Sequence, residues 1–350
     1  MKSATKESAT KESATQKNGV KANATPRIEN QVQQVVFMEN LSSMEYWQRK
    51  EGQLEQVLKD INLSINKGEI WGIIGTSRFE IKLLLEIMAN IRAYESGHCI
   101  LLERGMMRRK RVILSHVFYI GNSDRLYDTM NVLEYLMLAT SKWKMDVVER
   151  QEQLFESIIQ VGLGHISLTA IGLLTREEKA AVTLMAAAYS HAQLIVFNLP
   201  DYEFDLTLRE AIAKIAHFIK EQGKTLVIGT PICPLIEKAC THIGVVAEGR
   251  IIYQGLVKDF RYQYDRVAVI IRDRDIVRAK EILQVFLPEY KLVVEPDCLL
   301  IMEKNSSLGE TERIYQRIIE AGYIPQVIEK NPKTVAYALE ELVREHDLSE

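Results

Sequence analysis

The first stretch whose residue types and spacing could do chemistry is Gly75-Thr76-Ser77-Arg78-Phe79-Glu80-Ile81-Lys82-Leu83. It follows the short apolar run Trp71-Gly72-Ile73-Ile74 and leads into EIKLLLEIMANI, which has helical period. A glycine at a strand-to-helix turn lets the backbone fold tightly. A helix start offers free N–H groups and partial positive charge to an anion. Arg78 and Lys82 add cations there, while Glu80 opposes an anion. The plain alternative is a collapsed turn that holds nothing. A second helix start reads Leu174-Thr175-Arg176-Glu177-Glu178, where Thr175 serves as N-cap and Glu178 completes a capping box. Glu177 and Glu178 would repel a polyphosphate.

The remaining candidates are plainer. The histidines (98, 116, 165, 191, 217, 242 and 346) are scattered without metal-ligand spacing, so no metal site is expected. Ser115-His116 lacks the G-x-S-x-G elbow of a hydrolase. Cys99, Cys233, Cys240 and Cys298 form no C-x-x-C pair and read as reduced thiols. The basic stretch Glu103 to Arg111 (ERGMMRRKR) could meet a phosphate-bearing partner, or it is simply a solvated loop.

Composition bounds what must position these groups. The chain has 350 residues, is 47% hydrophobic and 26% charged, and carries a formal net charge of -3, as expected of a globular protein with a sizeable core and no nucleic-acid partner. No apolar run is long enough to span a bilayer, and no leader pattern stands at the start. Residues 1–30 repeat K-E-S-A-T with recurring lysines and are expected to be a disordered tail. From residue 31 to about 260, short apolar strands alternate with amphipathic helices. The strands are WGIIG, LIVFNLP, KTLVIGTP and IGVVAEGRIIYQG. The helices are TREEKAAVTLMAAAYSH and LREAIAKIAHFIKEQG. That order predicts a parallel sheet covered on both faces, an α/β fold. Residues 263–350 change pattern to strand, helix, strand, strand, helix, strand and a last helix, a ferredoxin-like split βαβ appendage of α+β type.

Taken together, VLKDINLSINKGEIWGIIG, VFYIGNSDRLYDTMNVLEYL, LLTREEKAAVTLMAAAYSHAQLIVFNLPDYEFD and TLVIGTPICPLIEKACTHIGVVAEGRIIYQG resemble, in order, the ATP-binding subunits of ABC transporters over residues 33 to 257. The resemblance implies a P-loop NTPase-like fold. The appendage resembles the C-terminal extension of exporter-type subunits whose membrane chain is separate.

The family's phosphate loop reads G-x-x-x-x-G-K-[ST]. Here Gly75 matches, Arg78 and Glu80 stand in place of glycines, Ile81 in place of the lysine, and Lys82 in place of the magnesium-holding hydroxyl. Lys82 is one residue late, about 100° round the helix. The strand that should end in Asp-Glu ends in Asn198-Leu199; the glutamine that should follow the earlier strand VFYIG is Asn122; the histidine that should contact the γ-phosphate is Pro231. Thr175-Arg176-Glu177-Glu178 replaces the signature Ser-Gly-Gly-Gln. Tyr46 or Trp47 stands where the family often stacks adenine. No catalytic residue is therefore expected, with Asn198, Leu199, Pro231 and Asn122 as degenerate equivalents and Gly75, Thr76, Ser77, Arg78 and Lys82 as a non-functional cofactor loop.

The expected function is a non-catalytic subunit in an export system, cytoplasmic and peripheral on the membrane. It would dock on a permease, as a homodimer or with an intact ATPase, with no cofactor. One alternative is an ATP- and Mg²⁺-using subunit with an unusual phosphate loop built on Arg78 and Lys82; another is a soluble adaptor.

Overall fold

The computed structural model describes residues 33–48, 54–105, 110–121, 127–303 and 310–347. The expected tail and Asn122 lie outside them, as does much of the basic stretch. Contacts divide the chain at Val32, and the unit from Gln33 onward is the one with described structure.

Alternating apolar and polar residues build the first layer. The elements are β1 (Gln34–Ser43), β2 (Tyr46–Gln48), β3 (Leu54–Gln56) and β4 (Ile61–Asn66). In β4, Ile61, Leu63 and Ile65 are buried while the residues between them are more exposed, the period of a half-covered strand. β5 (Ile70–Gly75) is buried almost throughout, as a central parallel strand should be. Then come α1 (Arg78–Met88), β6 (Tyr94–Leu101), β7 (Arg104–Gly105), α2 (Lys110–Leu114), β8 (Val117–Ile120), α3 (Val132–Ala139), α4 (Val147–Val161) and α5 (Arg176–Tyr189). The main body ends with β9 (Leu194–Asn198), α6 (Leu206–Glu221), β10 (Thr225–Gly229), α7 (Cys233–Ala239), β11 (His242–Ala247), β12 (Arg250–Leu256) and α8 (Val257–Tyr264).

The central sheet has the order β12-β11-β5-β10-β9-β8, parallel except for the terminal β11–β12 hairpin. A smaller antiparallel sheet, β4-β1-β6-β7, covers one face. Side chains of β9 alternate between two cores. Leu194 and Val196 pack with α1 and the small sheet, and Ile195 and Phe197 pack with α5 and α6. That alternation carries on to the two residues that matter below, Asn198 and Leu199.

The C-terminal segment forms β13 (Val267–Arg272), α9 (Ile276–Phe286), β14 (Leu292–Val294), β15 (Leu299–Met302), α10 (Glu310–Glu320), β16 (Val327–Lys330) and α11 (Val335–Asp347). Its antiparallel sheet has the order β14-β15-β13-β16, the split βαβ arrangement. α11 returns to the main body, where Val335, Ala338 and Leu342 join the core that includes Leu235 and Phe260.

Candidate functional site

At the carboxyl end of β5 the backbone of Gly75 runs against β11. A β-carbon there would stand 2.0 Å from the Val246 carbonyl oxygen, so the position admits only glycine. The same carbonyl accepts the Thr76 N–H at 3.2 Å. α1 then starts at Arg78, two residues earlier than its apolar period suggests. Ser77 is the N-cap. Its Oγ accepts the Glu80 N–H at 3.4 Å and its carbonyl accepts the Ile81 N–H at 3.2 Å. Only Thr76 and Ser77 separate strand from helix, too little chain to encircle a phosphate. The donors that would face the anion are turned to the cap instead.

The early start also fixes where position 81 points. Ile81 is 0% exposed, and a β-carbon on Gly229 of β10 would meet its Cγ2 at 3.0 Å. A residue here packs on the sheet rather than reaching into the turn. Ile81→Ala is expected to cost about 2–5 kcal/mol by opening a cavity, and Ser77→Ala about 1 kcal/mol by removing the cap. Urea unfolding of the two variants checks the order; equal losses would mean that α1 is not seated in this register.

Of the two cations at the turn, Lys82 is half-buried and Arg78 points outward. Arg78 is exposed and 3.9 Å from Asp201 Oδ1, an ion pair of small energetic weight. Phe79 meets Trp47 edge to face, with centroids 5.1 Å apart. The Tyr46 hydroxyl donates to Glu95. Thus Trp47, one of the two aromatics flagged for adenine, borders the start of α1, while Tyr46 is turned to Glu95.

At the end of β9, Asn198 is fully buried. Its Nδ2 donates to the Lys82 carbonyl at 3.0 Å and to the Tyr119 hydroxyl at 3.2 Å, while its Oδ1 has no hydrogen-bond partner among the described residues. An aspartate would set an oxygen against the Lys82 carbonyl, so the amide suits this closed geometry and a carboxylate does not. Leu199 is 1% exposed and belongs to the helical core. Beyond β10, Thr230 Oγ1 accepts the Ile232 N–H at 3.1 Å, and Pro231 lies between the two. Tyr119 was not legible as a site residue. It comes from β8, 79 residues from Asn198, and nothing in its spacing marks it.

The start of α5 closes on itself as well. Thr175 Oγ1 accepts the Glu178 N–H at 3.1 Å and Glu178 returns to the Thr175 N–H at 2.8 Å, the capping box expected from the sequence. Arg176 pairs with Glu177 and lies 4.7 Å over the Tyr202 ring. Both helix starts that could hold an anion therefore have capping donors satisfied internally. The turn as it stands does not fit a triphosphate; taking one in requires the first turn of α1 to open.

No family model matches the chain. Among curated proteins it is 23% identical over 274 residues to the methionine import ATP-binding protein MetN of Wolinella succinogenes, covering 75% of this chain and 90% of that one. It is 25% identical to MetN 2 of Acinetobacter baylyi over 212 residues, covering 58% of this chain and 61% of that one. It is 25% identical to an uncharacterized ABC transporter ATP-binding protein of Nostoc sp. over 247 residues, 69% of this chain and 70% of that one. Among solved structures it superposes on cbiO1 of Clostridium perfringens, part of the ABC transporter complex cbiONQ, with TM-score 0.53, 18% identity and coverage of 73% and 96%. It also superposes on the ATP-binding cassette MJ0796 bound to ADP and Pi, with TM-score 0.51, 17% identity and coverage of 63% and 98%. The chain has the fold of an ABC-transporter ATP-binding subunit and is similar in sequence to such subunits at 22–25% identity.

Two expectations are corrected by these relatives. The exporter assignment gives way, because MetN proteins serve import. The expectation that no nucleotide cofactor is used is overturned, because the ABC relatives are ATP-binding proteins and one solved neighbour holds ADP and Pi. Among the described residues no helix is long and apolar enough to cross a membrane.

Proposed function

We propose that the chain is an ABC cassette subunit of an import system. It docks on a membrane permease at the cytoplasmic face and pairs with a second cassette. It takes part in ATP-dependent uptake without hydrolysing ATP at its own site. The methionine-import relatives point to a small amino-acid-like solute as cargo. The observation that carries the reading is the end of β9: Asn198 is spent on the Lys82 carbonyl and Leu199 is buried in the core. Leu199, not a carboxylate, stands where water would be activated, and phosphoryl transfer depends on such positioned charge. Residues 263–350 serve as an appendage whose last helix is shared with the main body.

Pairing with an intact cassette fits better than a homodimer, because a partner can supply the base that Leu199 does not; the capped start of α5 weakens the site it would share in either pairing. The exposed side chains of Tyr127, Leu138, Phe155 and Ile159 around α3 and α4 suit the permease contact. The unusual-loop reading keeps one support: Arg78, 55% exposed and 3.9 Å from its acidic partner, is free to swing onto an anion.

The test is ATPase activity of the chain assembled with its permease and partner cassette. Removing the partner's hydrolytic base should abolish turnover. Turnover that survives that change and disappears with Arg78→Ala would overturn the reading in favour of the unusual loop.

A further inference from the structure

At the amino ends of the central strands, opposite Gly75 and Asn198, a cavity of ≈ 180 Å³ opens between the two sheets. Ligands of parallel sheets gather at the carboxyl ends, so this place is separate from the nucleotide end. Lys67, from the turn before β5, and Arg104, at the start of β7, line it with His116 and Gln193, which precede β8 and β9. The walls are tied by backbone bonds. Lys67 N donates to the Gln33 carbonyl at 2.8 Å, Leu102 N to the Val35 carbonyl at 2.8 Å, and Gln193 N to the His116 carbonyl at 2.9 Å. Leu102 and Glu103 both adopt positive φ, 51° and 61°, in the tight turn that folds Arg104 back beside Leu101. A leucine in that region is uncommon, and the cost is borne where the turn presents Arg104 to the cavity.

The charges do not cancel. Among the described residues neither the Lys67 ammonium nor the half-buried Arg104 guanidinium has a hydrogen-bond or ion-pair partner. The acid on the rim, Glu103, is held at Oε1 by Gln33 Nε2 at 2.9 Å. Two unmatched cations and the amide of Gln193 thus line a polar hollow in a chain whose formal net charge is -3. The volume lies below the roughly 300–1,000 Å³ of pockets for drug-sized ligands, which favours a small anion. Arg with its planar fork and Lys as a point charge are the side chains that recognise phosphate.

We propose that this cavity binds a phosphate group, carried either by a small soluble phosphate ester or by a lipid headgroup. The test is calorimetric titration of the full chain with inorganic phosphate and with glycerol 3-phosphate, and flotation with vesicles containing phosphatidic acid. Binding of the soluble probes without flotation assigns the site to free phosphate esters; flotation without soluble binding assigns it to headgroups; both support a phosphate site. In either case Arg104→Gln should weaken binding by roughly tenfold or more and Lys67→Gln in the same direction. Glu103→Gln should strengthen it. Lys67 and Glu103 are exposed and Arg104 is half-buried without a partner among the described residues, so all three variants keep their melting temperature. Absence of binding by every probe at millimolar concentration, or binding indifferent to Arg104→Gln and Lys67→Gln, would overturn the proposal.

Discussion

Rebuilding the turn alone, with Arg78→Gly, Glu80→Gly, Ile81→Lys, Lys82→Ser and Leu83→Thr, is expected to leave ATP turnover at background. The two glycines each weaken the first turn of α1 by about 1 kcal/mol and help it open. Ile81→Lys then forces the opening, since an ammonium is not tolerated at a fully buried position. An opened turn frees the backbone N–H groups at positions 80 and 81 for a phosphate, so nucleotide binding should rise while hydrolysis does not. Leu199 still offers no base. Adding Asn198→Asp and Leu199→Glu should raise turnover by on the order of 10²–10⁴, the usual contribution of a positioned general base. Asn198→Asp on its own should destabilise the chain, because it sets a carboxylate against the Lys82 carbonyl that now accepts from the amide. The fully rebuilt chain should remain slow as a homodimer, because the start of α5 is capped by Thr175 and Glu178. Phosphate release measured across the series, with binding of a fluorescent nucleotide followed separately, decides the matter. Strong turnover from the turn alone would show that the end of β9 is not the barrier.

The central strands and their covering helices were legible because burial dictates composition. A strand covered on both faces must be apolar throughout, and WGIIG and LIVFN are. The capping box at α5 was legible because it needs only two residues three apart. The register of α1 was not legible. Its apolar period fits a start at Glu80, but the available N-cap hydroxyl, Ser77, draws the start back to Arg78. Two residues of register separate a loop from a closed turn, and apolar period does not resolve that. Nor did the sequence show why asparagine stands at 198. The reason is a carbonyl 116 residues away and a tyrosine hydroxyl on β8, and both are brought there only by the fold.

Asp265→Ala is expected to be among the most destabilising single changes in the chain, at about 3–5 kcal/mol. Asp265 is 0% exposed and lies between α8 and β13, where the main body meets the C-terminal sheet. Its Oδ1 accepts the Val267 N–H at 3.0 Å and the Asn331 Nδ2 at 2.7 Å, and its Oδ2 accepts the Thr334 N–H at 2.6 Å. The last of these sits just before α11, so a buried carboxyl group caps the start of the helix that returns to the main core. Lys333, held at φ 61°, donates to the Asp265 and Val267 carbonyls at 2.7 and 3.0 Å and to Glu303 at 2.7 Å. Truncation to alanine leaves the Val267 and Thr334 N–H groups without their acceptor and takes one of the two bonds of the Asn331 amide, which keeps the Val267 carbonyl; each unmet donor costs about 1–3 kcal/mol. Asp265→Asn keeps one acceptor but turns an amide toward the Thr334 N–H, so its loss should be smaller than that of alanine. The two effects also differ in kind. Alanine should uncouple α11 and the C-terminal sheet from the main body, splitting one denaturant transition into two, whereas asparagine should shift a single transition. Asn331→Ala combined with Asp265→Ala should lose less than the sum of the two, by about 0.5–3 kcal/mol, because both remove the same bond. A loss under about 1 kcal/mol for Asp265→Ala, the range of an ordinary exposed hydrogen bond, would mean that this carboxylate does not hold the two parts together.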